Sequence, residues 1–244
     1  MKLILMISSF LLCTLCLAQQ EDNVWLVGVA ASAKWNPKSI KDSTSGITKL
    51  EFSYSQVKIF YDSTLLVNIK PTNASICDEE GKMLAYTNGM AIWDAKHQYV
   101  EDTINFNEYW LNNVYYQDGD YAEFGLPFIQ GALMLPMEDS IFTVYQQYQS
   151  WENITDRVFY VSFKTLGDNT FSSVNHDQLV ILNSLGTGRL NAVRHANGRD
   201  WWLVFPEIHR NIYFVSSLSL RIIKLDFEFK LSSITKHRVY AYFL

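Results

Sequence analysis

Short apolar runs separated by polar turns recur along this chain with a period close to sixty residues. Three stretches share the layout. They begin at Asn73-Ala74-Ser75-Ile76, Gly131-Ala132-Leu133-Met134 and Asn191-Ala192-Val193-Arg194, so the head alanines stand 58 and then 60 positions apart. Twelve residues beyond each alanine the chain is in a second run, at Tyr86, Val144 and Val204. A third run follows after a connection of variable length: Ala91-Ile92-Trp93, Val158-Phe159-Tyr160 and Ile212-Tyr213-Phe214. A period of this size marks one supersecondary unit in several copies, because a lone three- or four-stranded sheet cannot bury its own apolar face.

The polar segments decide strands over helices. Asp78-Glu79-Glu80-Gly81-Lys82, Pro136-Met137-Glu138-Asp139-Ser140 and Ala196-Asn197-Gly198-Arg199-Asp200 are each short and placed to join a hairpin. Asn197-Gly198 is the strongest of them and predicts a type I′ turn, since both positions tolerate positive φ. Leu166-Gly167-Asp168-Asn169 predicts a further hairpin between Val158–Lys164 and Thr170–Val174. A unit therefore reads strand, tight turn, strand, looser connection, strand, with a fourth strand in places. The fold class expected is all-β: a β-propeller-like array of antiparallel three- to four-stranded blades.

Upstream, Val24–Val29 and Leu50–Tyr61 read as strands in the same style, and the first is expected to close the ring by pairing with a C-terminal blade. Downstream, Leu218–Leu231 alternates as a strand before the chain stops at Tyr240-Ala241-Tyr242-Phe243-Leu244. Three to four blades make an incomplete ring against the four to eight of a closed propeller. The chain is read either as truncated or as sheets that pack in another way.

Composition adds an address. Lys2, the apolar run Leu3–Leu12 and Cys16-Leu17-Ala18 predict a secretory signal peptide over residues 1–18, cleaved near Ala18. A lipoprotein signal is the rival, but Leu12 and Leu15 stand before Cys13 and Cys16 where a small residue is wanted. Cleavage leaves Cys77 as the one thiol, expected to be a small buried hydrophobe. No other apolar run is long enough for a membrane helix. The full chain has 15% aromatic and 18% charged residues, and residues 19–244 suffice for one β domain. The formal charge of −5 is mild and unclustered, which argues against nucleic acid as a partner.

Several segments resemble a family of uncharacterised secreted proteins from Bacteroidetes. They are Thr72-Asn73-Ala74-Ser75-Ile76-Cys77-Asp78, Gly81–Gly89, Gly125-Leu126-Pro127, Leu133–Pro136 and, most specific, Arg194-His195-Ala196-Asn197-Gly198-Arg199-Asp200-Trp201-Trp202. The match covers about residues 20 to 215. The resemblance implies a propeller-like N-terminal region, export, and in the family usually a C-terminal sorting domain of the type IX secretion route. This chain departs from the pattern after about Phe214 and shows no sorting domain. The family carries no activity to transfer.

Two candidate ligand-binding regions stand out. Around the Asn197-Gly198 turn, Arg194 and Arg199 with His195 and Asp200 form a polar cluster suited to gripping a carboxylate or sulfated sugar. Its structural reading is a hairpin finished by Arg199 and Asp200, with His195 donating to a backbone carbonyl and Trp201 or Trp202 packed between blades. The second region, Asn105 to Phe128, interrupts the repeat with Tyr109, Trp110, Tyr115 and Tyr116 among acidic residues. Such faces cover the C–H surfaces of sugars, or fold onto the core.

No enzyme signature accompanies them. Glu101, Asp102, Asp118, Asp120, Glu123 and Asp200 give no recognisable glycosidase pair, and no Gly-x-Ser-x-Gly occurs. His97, His176, His195, His209 and His237 lie far apart, so no metal and no cofactor is expected. The function expected is a non-enzymatic extracellular binding scaffold for a surface glycan or protein, with loops of one rim supplying the contacts. The alternative is a secreted propeller hydrolase acting on polysaccharide.

Overall fold

The computed structural model describes residues 22–29, 46–53, 56–62, 65, 67–69, 71–100, 125–126, 129–138, 140–149, 155–167, 170–208, 212–218 and 223–230. Among these the secondary structure is all β, in four antiparallel sheets that follow one another along the chain. The first sheet has strands β1 (Val24–Val29), β2 (Gly46–Phe52) and β3 (Val57–Asp62). The second has β4 (Ala74–Cys77), β5 (Met83–Thr87) and β6 (Ile92–Asp94). The third has β7 (Ala132–Pro136), β8 (Ile141–Gln149), β9 (Thr155–Gly167) and β10 (Thr170–Leu185). The fourth has β11 (Asn191–Arg194), β12 (Trp201–Pro206), β13 (Ile212–Leu218) and β14 (Ile223–Lys230). Every sheet is a meander in which each strand pairs with the next in sequence.

The repeat is thus one of sheets. The three head runs are β4, β7 and β11, and the runs that follow are the second and third strands of the same sheets. The twelve-residue offset does not carry a common register, however. Ala74 pairs with Thr87, Ala132 with Gln146 and Ala192 with Leu203, because the alanines stand three, four and two residues before the end of their strands. Two upstream expectations are corrected. Among the described residues β1 pairs with β2 in its own sheet, not with a C-terminal strand. Leu50–Tyr61 is two strands, broken where the Ser53 amide donates to the Gln56 carbonyl, 3.0 Å away.

What holds the sheets together is burial of both their faces. Strand side chains alternate between faces, and in the second sheet Cys77, Met83, Tyr86 and Trp93 pack with Val24, Leu26 and Ile47 of the first. Its opposite face sends Ile76, Ala85 and Ile92 against Met134, Phe142, Val144, Val161 and Phe163 of the third. The third sheet in turn sends Leu135 and Val158 against Leu203 and Phe205 of the fourth, with Trp201 packed at the same seam. The first strands of the first three sheets are also neighbours: β4 lies beside β1 and β7, and the Ser75 hydroxyl donates to the Val24 carbonyl.

Polar groups enter these seams only when paired. Thr143 and Ser162 share a buried hydroxyl–hydroxyl bond of 2.8 Å. Gln147, fully buried, donates to the Gly186 carbonyl at 3.1 Å and accepts from the Gly188 amide at 2.7 Å, so one side chain pins the connection from β10 to β11. Gly188 has φ of +69°, and a Cβ there would stand 2.1 Å from the Ile129 carbonyl oxygen. Gly198 has φ of +73° but open space around it.

Gly188→Ala is therefore expected to cost more than about 2 kcal/mol, through both the backbone conformation and the clash. Gly198→Ala should cost about 1 kcal/mol, from conformation alone. Urea unfolding of the two variants beside the parent chain gives the comparison, and equal losses would show that the contact with Ile129 is absent. Cys77 supplies a second check. Burial first of all, with the nearby Asp78 charge adding to it, pushes its thiol up from 9.0 to about 11. At pH 8 Cys77 should stay unlabelled by iodoacetamide in the folded chain and become labelled only in denaturant, as peptide mapping would show.

Candidate functional site

At one end of the stack the turns of three consecutive sheets converge on a cleft of about 1060 Å³. β4, β7 and β11 all run toward this end, so the turns after them meet there. The segment after β6 contributes Lys96, and the β9–β10 hairpin contributes Thr165 and Gly167. Apolar lining comes from Ile76, Leu84, Ile141 and Phe142, whereas Glu79, Glu80, Lys82, Glu138, Arg194 and Arg199 bring charges of both signs.

These turns share a geometry that explains their sequences. In Asp78–Lys82 the first amide donates to the fifth carbonyl at 2.9 Å and the fourth amide to the first carbonyl at 3.0 Å. Asp94–Gln98 repeats both bonds at 2.9 and 3.0 Å. Each leading aspartate also accepts from two backbone amides through Oδ1: Asp78 from Glu80 and Lys82, Asp94 from Lys96 and Gln98. The fourth residue has positive φ in both, Gly81 at 78° and His97 at 63°. An aspartate that bonds its own turn backbone stabilises such a loop before any tertiary contact forms.

The turn at 195–200 is a longer version and corrects two expectations. The His195 ring, expected to donate to a carbonyl, instead accepts through Nδ1 from the Asn197 amide at 3.1 Å and lies 5.0 Å from the ring of Trp202. Nor is Asn197-Gly198 a type I′ turn. Only Gly198 of the pair has positive φ, and its amide donates to the His195 carbonyl at 2.9 Å, which makes Ala196-Asn197 the centre of the turn.

The two arginines both line the cleft, but they are engaged differently. Arg199 holds Asp200 through two hydrogen bonds, Nε to Oδ1 at 3.0 Å and Nη2 to Oδ2 at 3.2 Å, and its Nε lies 3.6 Å from Glu138 Oε1. Asn197 adds a 2.6 Å bond to Asp200 Oδ2. Arg194 lies with its guanidinium carbon 4.9 Å from the centroid of the Trp201 ring. The Trp201 indole in turn donates to the Pro136 carbonyl at 2.9 Å, which fixes the fourth sheet against the third at the mouth of the cleft.

The segment that carries the aromatic insertion is attached at the other end of the second sheet. Its described flanks are Val100, whose amide donates to the Ile92 carbonyl, and Leu126, whose amide donates to the Asn88 carbonyl. Ile92 and Asn88 bound the turn between β5 and β6, at the end opposite the cleft. Tyr109, Trp110, Tyr115 and Tyr116 themselves lie outside the described residues. Glu80, Lys82, Lys96 and Glu138 were not singled out from the sequence. The signal available was the Asp-x-x-Gly turn followed by a strand, legible at 78–81 but hidden at 94–97, where histidine takes the left-handed position.

Among the described residues no group of His, Cys, Asp or Glu is placed to hold a metal ion, and no helix is long and apolar enough to cross a membrane. No protein-family model matches the chain, and no curated protein or solved structure is significantly similar to it.

The hydrogen bonds from Arg199 hold the Asp200 carboxyl below its ordinary 3.8. A carboxylate lowered in the folded state favours that state above its unfolded value, and the contribution disappears as pH falls through the folded value. The carboxyl-carbon signal of Asp200 should hence stay constant as pH falls to about 4, near the ordinary aspartate value, and move only below it. A midpoint at or above 3.8 would contradict the pairing, and Arg199→Gln should raise the midpoint.

Proposed function

We propose that this chain is a secreted, non-enzymatic binding scaffold whose sheets are blades of a β-propeller-like array, and that the turn-end cleft receives an extended polypeptide segment of a partner. The observation that carries this is the convergence of turns from three consecutive sheets, with charges of both signs, on one cleft of about 1060 Å³. Meander sheets packed face to face, with the first strands of the first three adjacent, support the propeller reading. The leader and the motif resemblance support export.

The cleft chemistry favours a polypeptide over a sugar. Glycan sites rely on exposed aromatic faces, and among the described residues the one aromatic ring lining this cleft, Phe142, is buried. Acids and bases around an apolar floor match instead the alternating side chains and backbone dipoles of an extended peptide. Hydrolysis is disfavoured by how the nearby carboxylates are used. Asp78 and Asp94 bond their own turn amides, and Asp200 is paired with Arg199 and shifted away from the raised value a general acid needs.

Displayed peptide libraries and a glycan array, probed in parallel, test this. Peptides should be retained, and Lys82→Glu combined with Lys96→Glu should weaken the selected ones at least about tenfold, as expected for lost charge pairing. Glycan retention with release of reducing ends would overturn the reading in favour of a polysaccharide hydrolase.

A further inference from the structure

β3 is the last strand of the first sheet, and five of its six residues are exposed. The opposite edge of that sheet is occupied, since Gly28 of β1 exchanges both backbone bonds with Ile69 at 2.9 and 3.0 Å. Among the described residues no strand pairs with β3 on the side away from β2. The Phe52 amide donates to the Asn23 carbonyl and the Ser53 amide to the Gln56 carbonyl, so residues of β2 bond alternately to β1 and to β3. Opposite Glu51 and Lys49, the residues Lys58 and Phe60 use their backbone groups on β2, and Val57 and Ile59 turn theirs to the outer edge.

An edge of this kind is a template for another strand, and proteins blunt such edges with proline, bulges or charges. β3 has no proline and keeps an unbroken register with β2. Its apolar side chains are exposed on both faces: Val57 50%, Ile59 70%, Phe60 44% and Tyr61 53%. Charges stand only at Lys58 and Asp62, placed symmetrically about Phe60. That placement selects the occupant. Two copies of Lys58-Ile59-Phe60-Tyr61-Asp62 laid antiparallel about Phe60 put each Lys58 opposite Asp62 of the second copy, each Ile59 opposite Tyr61, and Phe60 opposite Phe60. A two-fold axis perpendicular to the sheet joins like faces, so the register can shift only in steps that keep the alternation of side chains. One such step in either direction leaves Lys58 opposite Phe60 or beyond the end of the strand.

We propose that two copies of this chain associate through their β3 edges, antiparallel about Phe60, so that two three-stranded sheets become one continuous sheet. The amide and carbonyl of Ile59 supply backbone bonds across the axis, and the apolar side chains gain cross-strand neighbours on both faces. Asp62 also accepts the Leu65 amide through Oδ1 at 3.2 Å, which holds its carboxylate at the end of the strand where Lys58 of the second copy arrives. Lys49 lies over the Phe60 ring, 4.8 Å from its centroid, and orders the side chain that meets its own copy at the axis. The shared edge is about 20 Å long, a small contact on the scale of stable interfaces. The dimer therefore dissociates on dilution.

Sedimentation velocity on the purified chain from micromolar to millimolar concentration tests this, and the parent should pass from monomer to dimer across that range. Ile59→Pro removes an amide that faces the edge and none that bonds β2, and Lys58→Glu sets acids opposite each other at both ends of the contact. Each should weaken the dimer at least about tenfold. Lys58→Glu, at an exposed position, should keep the parent's thermal midpoint, and it decides the matter if Ile59→Pro lowers that midpoint. Disulfide trapping reads the register. With Cys13 and Cys16 replaced by serine and Cys77 buried, Phe60→Cys should oxidise to a linked dimer, because opposed residues at such a position lie about 4.5 Å apart at Cα. Ile59→Cys should not, since its like positions are separated by more than about 7 Å. A parent that is monomeric at every concentration overturns the proposal and leaves the edge to a strand of another protein. So does association unchanged by Lys58→Glu, and so does cross-linking through Ile59→Cys in place of Phe60→Cys.

Discussion

A sheet that is apolar on both faces has no stable existence alone, and the architecture of this chain follows from that constraint. Ile76 and Cys77 are adjacent in sequence and both buried, yet they face different seams, one toward the third sheet and one toward the first. Leu203, Phe205 and Trp201 face the third sheet, and their alternate neighbours face outward. Desolvation of both faces contributes roughly 1.5–3 kcal/mol for each large side chain fully buried. That gain is realised only when a neighbouring sheet is already in place. The sheets are consequently coupled, and the stack is most exposed where the series of neighbours stops.

The same constraint separates structure from recognition. Since the interior positions of the strands are occupied by seam contacts, chemistry is left to the strand ends. At one end the turns have a self-sufficient backbone design, with aspartates or a histidine ring nitrogen bonding amides two residues on. Such turns hold their shape without help from the cleft they surround, so their remaining side chains are available to a ligand. Arg199 illustrates the division. Its pairing with Asp200 belongs to the turn, and its approach to Glu138 joins the third sheet's turn to the fourth's.

Three misreadings have a common origin. The Asn197-Gly198 pair was read by its dipeptide, and β1 and the Leu50–Tyr61 stretch by apolar content. Those signals are local. A turn type depends on which residues at its base pair, and here the bond from the His195 amide to the Asp200 carbonyl sets a six-residue loop in which only Gly198 must be left-handed. Strand partnership likewise depends on what is near in space: β1 has β2 available after a connection of sixteen residues, from 30 to 45, without any crossing of the molecule.

The amino-acid order alone determined the strand content, the repeat of about sixty residues and most turn positions, because alternation, apolar runs and turn residues act over a few neighbouring positions. It also determined that the repeated unit needs a companion, since runs apolar on both faces demand two partners. Only the tertiary structure decided which seam each strand face joins, that Arg194 and Arg199 meet Glu80, Lys82 and Glu138 around one cleft, and that the aromatic insertion is attached at the other end. Those relations join residues from different strands and turns, Glu138 and Arg199 for example. They are set by the packing of whole sheets, and no local pattern of residues carries them.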